Sequence, residues 1–113
     1  MAESQYAMMR TRERIKTNLK AQSLTKNKDA KPLECQIIDL NIAGAGVVFP
    51  GSENIAPGDI ISMNIFLPNT ILHVSVRAEA RWVRRRPKDV LCGTKFQELL
   101  SERMLQQLVG QKT

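Results

Sequence analysis

A chain of 113 residues, 42% of them hydrophobic, has room for one ordinary core and not for two. Its net charge of +6 and pI of about 9.8 favour an anionic partner: a nucleotide, a nucleic acid, a membrane surface or an acidic protein. Two cysteines without CxxC spacing and a single histidine argue against a zinc site, and no apolar run reaches the roughly 20 residues of a membrane-spanning helix.

Residues 1–9 carry no persistent period and no signal-peptide stretch. They read as a flexible tail on a single domain covering 10–113, in a cytoplasmic protein. Beyond them Ile15, Thr17, Leu19, Ala21 and Ser23 alternate with polar residues, which predicts a strand with one wet face. Residues 25–32 are too polar to bury and read as a hairpin loop. Residues 33–40 form a second strand, which 39–44 interrupt and 45–49 resume. Gly44 and Gly46 permit backbone angles or close approaches that a Cβ would forbid.

Turns at 50–52 and 57–59 precede an apolar strand over 60–67. Pro68 and Asn69 turn it into a strand over 71–83, with Leu72, Val74, Val76, Ala78 and Ala80 on one face. Residues 84–88 form a basic connection, and 90–96 the last strand. Then the period changes. Leu100, Met104 and Leu108 recur every four residues with Leu105 beside them, Ser101 can cap the start, and Gly110 can end the turn, so a helix is expected. The fold class is therefore all-β dominated: a small six-stranded antiparallel barrel with a C-terminal α-helix. Cys35 and Cys92 both fall in strand-like runs and read as reduced core thiols.

Two short motifs carry the chemistry. Arg10 and Arg14 stand four positions apart in a basic segment that leads into the first strand. A guanidinium fork suits both a phosphate and a purine edge. The plain alternative is a solvated basic terminus. Asp39 and Asn41 stand two apart, so on extended backbone they share a side, next to Gly44. A carboxylate there can accept from two adjacent N–H donors of a base, or else bond its own turn. Trp82, the sole tryptophan, sits between Arg81 and Arg84. By itself it reads as a barrel-surface or core aromatic covering the end of the helix. His73 has no nucleophile beside it and there is no phosphate-cradling loop, so no enzyme is expected. Aromatic content of 4%, with no paired stacking aromatics, disfavours a nucleic-acid binder.

The ordered set of motifs resembles the PilZ domain, the bacterial receptor module for cyclic di-GMP. Its RxxxR pattern is matched by Arg10 and Arg14, and its [D/N]xSxxG turn by Asp39, Asn41 and Gly44. A Gly-Asp turn (Gly58, Asp59), a strand ending in Leu67 and Pro68, an aromatic with basic neighbours (Trp82), and Gly93, Lys95 and Phe96 in the last strand follow in the family's order. The resemblance implies that Arg10, Arg14, Asp39, Asn41, Gly44 and Trp82 bind cyclic di-GMP, with no further cofactor. It also implies that the N-terminal segment changes conformation on binding and that the chain signals through a partner protein. Asn41 departs from the motif's serine: it is larger, and it offers both a donor and an acceptor. A PilZ-like interaction module without nucleotide binding is the alternative.

Overall fold

The computed structural model describes residues 14–24, 32–51 and 54–110. Among them are six strands: β1 (Ile15–Leu24), β2 (Leu33–Asn41), β3 (Gly44–Pro50), β4 (Ile60–Phe66), β5 (His73–Arg85) and β6 (Asp89–Phe96). A helix, α1 (Glu102–Leu108), follows. All strand pairs are antiparallel, and the strands close into a barrel in the order β1-β2-β3-β6-β5-β4. Among the described residues, closure leaves free sheet edge only along the β1–β4 seam, where Ala21–Leu24 pair with Ser62–Ile65 and the rest of both strands does not pair across it.

Alternation sorts the side chains. Ile37, Val47, Phe49, Met63, Ile65 and Val90 point inward and are almost wholly buried. Each contributes roughly 1.5–3 kcal/mol by leaving water. The few buried polar groups are satisfied: the Thr94 hydroxyl donates to the Ala45 carbonyl at 2.9 Å, and that of Ser23 to Leu33 at 3.3 Å. Cys35 and Cys92 are buried free thiols.

Ser101 caps α1, its hydroxyl accepting from the Met104 N–H at 3.0 Å, and Gly110 ends the turn at φ 65°, a left-handed angle that needs no Cβ penalty. The helix packs at the barrel end that carries the β2–β3 and β4–β5 turns. There the Leu100 N–H donates to Ile42 O at 2.8 Å and the Phe96 N–H to Ala43 O at 2.7 Å.

The barrel and helix match the expected class, but three details differ. Residues 33–40 and 45–49 are not one interrupted strand; the chain reverses at Ile42 and Ala43, and the halves pair with each other. The long strand is His73–Arg85, displaced toward the C-terminus. Ile71 and Leu72 stay in the preceding turn, 89% and 63% exposed, and Arg84 and Arg85 belong to β5 rather than to the connection. Met104 shares the four-residue spacing yet lies half-exposed, because a helix of 7 residues buries only the narrow stripe of Leu105 and Leu108. Arg10, the tail 1–9 and most of the loop 25–32 lie outside the described residues.

Candidate functional site

The outer wall of the barrel carries a continuous row of register partners. Lys16 pairs with Asp39, Asp39 with Gly46, Gly46 with Gly93, and Gly93 with Trp82. The row crosses β1, β2, β3, β6 and β5 near the end that holds α1. Two of its members face outward only because the ladder is broken beside them. The β2–β3 register shifts between Ile37 and Asp39, and the β5–β6 register between Ala80 and Trp82. From buried Ile37, strict alternation would send Asp39 into the core; from buried Ala80 it would do the same to Trp82. One extra residue in each strand, Ile38 and Arg81, reverses the parity and turns both side chains outward. On β1 the ladder is also interrupted, and the Thr17 hydroxyl donates to the Ile37 carbonyl at 2.7 Å within that gap.

Asp39 is the hub of the row. Its Oδ1 accepts from the Gly46 N–H at 2.9 Å and from Arg14 Nη1 at 2.6 Å. The ion pair is open to water, with Arg14 46% and Asp39 28% exposed. Such a pair contributes only about 0–1 kcal/mol, so an anion or a base edge can displace it at little cost. Asn41 is buried and serves the turn: its Oδ1 accepts from the Ala43 and Gly44 N–H groups, both at 2.9 Å. Gly44 is tightly enclosed. A Cβ there would lie 2.1 Å from the Thr94 carbonyl oxygen, so β3 and β6 meet closely only because no side chain intervenes. Trp82 is 47% exposed, and its ring occupies the space a Cβ on Gly93 would take.

A family model described as PilZ domain matches residues 9–111. The chain belongs to the PilZ domain family. Its fold is similar to the PilZ domain of YcgR from Escherichia coli, solved with c-di-GMP: TM-score 0.69, 16% identity, covering 87% of this chain and 86% of that one. It is also similar to the inhibitor of motility MotI/DgrA of Bacillus subtilis, with TM-score 0.64 and 15% identity. That match covers 84% of this chain and 46% of the other, so this chain spans less than half of that relative. At these identities the likeness is one of fold. No curated protein matches.

In this PilZ domain the structure brings together Arg14, Asp39 and Trp82 on one wall, with Asn41 and Gly44 at the adjoining turn. Arg10 lies outside the described residues. Arg81 and Arg84 are exposed beside Trp82. The rest of the basic run is partly engaged: Arg86 pairs with both oxygens of Asp89, at 2.5 and 2.9 Å, and Arg85 donates to the Ile55 carbonyl at 3.1 Å. His73 packs edge-on against Phe66, the ring centroids 5.8 Å apart. Sequence reasoning did not find the lateral row, nor Lys16 beside Asp39. The signal was present in Gly46 and Gly93, since a glycine inside a strand pattern marks a close approach.

The site is a surface rather than a cavity. Two grooves lie elsewhere, one of about 710 Å³ between Asn18, Lys20 and the β4–β5 turn and one of about 440 Å³ beside Leu24, Arg77 and Leu99. Among the described residues no group of His, Cys, Asp and Glu could hold a metal, and no helix is long and apolar enough to cross a membrane.

Proposed function

We propose that this domain is a cyclic di-GMP receptor that acts as an adaptor, without catalytic activity, in the cytoplasm. The observation that carries the reading is the meeting of the Arg14 guanidinium and the Asp39 carboxylate at 2.6 Å, in one row with Trp82, in a chain of the PilZ family. The E. coli YcgR domain of similar fold was solved with that ligand. Cyclic di-GMP is a dianion with two guanines. Guanine presents adjacent N–H donors that a carboxylate such as Asp39 accepts, and acceptor atoms that an arginine fork reads. Arg14, released from Asp39, turns to a phosphate or to the O6/N7 edge, and Arg10 supplies the second guanidinium. Trp82 offers a ring face to the base. Asn41 and Gly44 act through the turn that holds Asp39 in place.

In this reading, exchange of the Arg14–Asp39 pair for ligand contacts is the first step. It draws the segment from Arg10 to Arg14 against the barrel wall and changes its conformation, which a partner protein reads. Calorimetry with cyclic di-GMP tests the reading, with GTP and cyclic di-AMP as controls. Micromolar affinity for cyclic di-GMP alone, about −8 kcal/mol, is the expected result. Absence of heat at about 100 μM ligand, well above such a Kd, overturns it.

One observation favours a second reading, a PilZ module that binds protein but no nucleotide. The Asn41 acceptor that would face a base is engaged by its own turn. The same titration decides between the two.

A further inference from the structure

Gly46 and Gly93 stand side by side in register at the middle of the row. Neither has a positive φ, so backbone conformation does not require glycine at either position. Glycine inside a strand weakens the sheet and leaves room for something to approach. Here the visitors are two side chains leaning in from the flanking strands. The Asp39 carboxylate covers Gly46, where a Cβ would lie 2.7 Å from Oδ2. The Trp82 indole covers Gly93, where a Cβ would lie 2.2 Å from Nε1 and 2.3 Å from Cε2. The two bare strands make a floor about 14 Å across, three strand spacings, between the backbones that carry the carboxylate and the ring. The β5 irregularity between Ala80 and Trp82 aims the indole at this floor, while nearly half of the residue stays open to solvent.

We propose that Gly93 is the positioning residue for Trp82, and that through Trp82 it sets how a planar heteroaromatic base is held at the site. The inference rests on the ligand reading above. With only hydrogens at 93, the indole lies down against the sheet and toward Asp39. A base that gives its N–H donors to Asp39 then finds an aromatic surface at the level of the sheet. Any side chain at 93 lifts the indole off the wall and moves that surface out of reach.

The test uses the full chain in four forms: parent, Gly93→Ala, Trp82→Ala and the double variant. Gly93→Ala is expected to weaken cyclic di-GMP binding about tenfold, the size of a lost base–aromatic stack. In the Trp82→Ala background the same change is expected to do nothing further, since the side chain it displaces is gone. Acrylamide quenching of the sole tryptophan should rise in Gly93→Ala, and any melting-temperature loss should recover in the double variant. An equal affinity loss in both backgrounds overturns the proposal, because Gly93 would then act on the sheet rather than on Trp82. So does unchanged quenching together with unchanged affinity, or a melting loss that the double variant keeps. If the parent itself does not bind the dinucleotide, the ligand reading falls, and quenching and melting still decide whether Gly93 seats Trp82.

Discussion

Arg14, Asp39 and Asn41 are neighbours with different duties, and single substitutions separate them. Arg14→Ala removes an exposed guanidinium that makes a weak ion pair with Asp39, so the melting temperature should hardly move. Its effect should appear in ligand affinity, at about 1.5–3 kcal/mol for a hydrogen bond to a charged group. Asp39→Ala should cost a similar amount of binding by calorimetry. It should also lower the melting temperature slightly, because the Gly46 N–H loses its acceptor. Asn41→Ala should do the reverse: two turn N–H groups lose their partner, and stability falls by about 1–3 kcal/mol. An Arg14→Ala protein that binds like the parent would mark the arginine as a solvated terminus.

The β2–β3 hairpin is the element on which the site hangs. Its turn is held from three sides: by Asn41 from within, by the Phe96 N–H on Ala43, and by the Leu100 N–H on Ile42. The last two contacts tie the motif to the end of β6 and the approach to α1. Gly44 is the tightest point of this assembly, since its missing side chain lets the Thr94 carbonyl come within 2.1 Å of where a Cβ would be. That neighbour is backbone and cannot rotate away. Gly44→Ala should therefore push β3 from β6 and lower stability by about 1–3 kcal/mol, as overpacking does. Thermal melting measures this directly. Amide exchange should speed up at Phe96 and Leu100 before it does in β4, which pairs with neither β2 nor β3.

Across the whole barrel, burial of the two thiols links stability to alkaline pH. Burial raises the Cys35 thiol from 9.0 to about 12. It raises the Cys92 thiol to about 11, the charge of Asp59 adding to the burial effect. In the unfolded chain both thiols ionise near the ordinary value, whereas the folded barrel keeps them protonated. Above that value the unfolded state sheds protons first, so stability is full below about pH 9 and declines as pH climbs toward the folded values. The decline should be on the order of 1 kcal/mol per pH unit per thiol. Melting temperatures at neutral pH and at about pH 10 check this. Cys35→Val, which fills a similar volume without a titrating group, should lose less on the shift than the parent. Equal losses would show that other groups govern the alkaline transition.

Local pattern in the sequence determined most of the architecture, because strand alternation, turn residues and a capped four-residue period are written in neighbouring residues. Val74, Val76, Ala78 and Ala80 share one face as their spacing requires, and Ser101 caps α1 as its place before Glu102 suggests. The motif order also marked Arg14, Asp39 and Trp82 as the residues to watch. Only the tertiary structure decided how they face. Alternation alone carries Asp39 and Trp82 inward, and the shifts after Ile37 and Ala80 turn them out. A bulge depends on the partner strand's register, which no local window contains. The reversal at Ile42 and Ala43 was hidden for the same reason: an interrupted strand and a tight hairpin share the same alternation on either side of the break. The row from Asp39 through Gly46 and Gly93 to Trp82 joins two hairpins, β2–β3 and β5–β6, that are distant along the chain. It exists because the barrel closes in one order and one register, and that is a property of the packed molecule rather than of any segment of it.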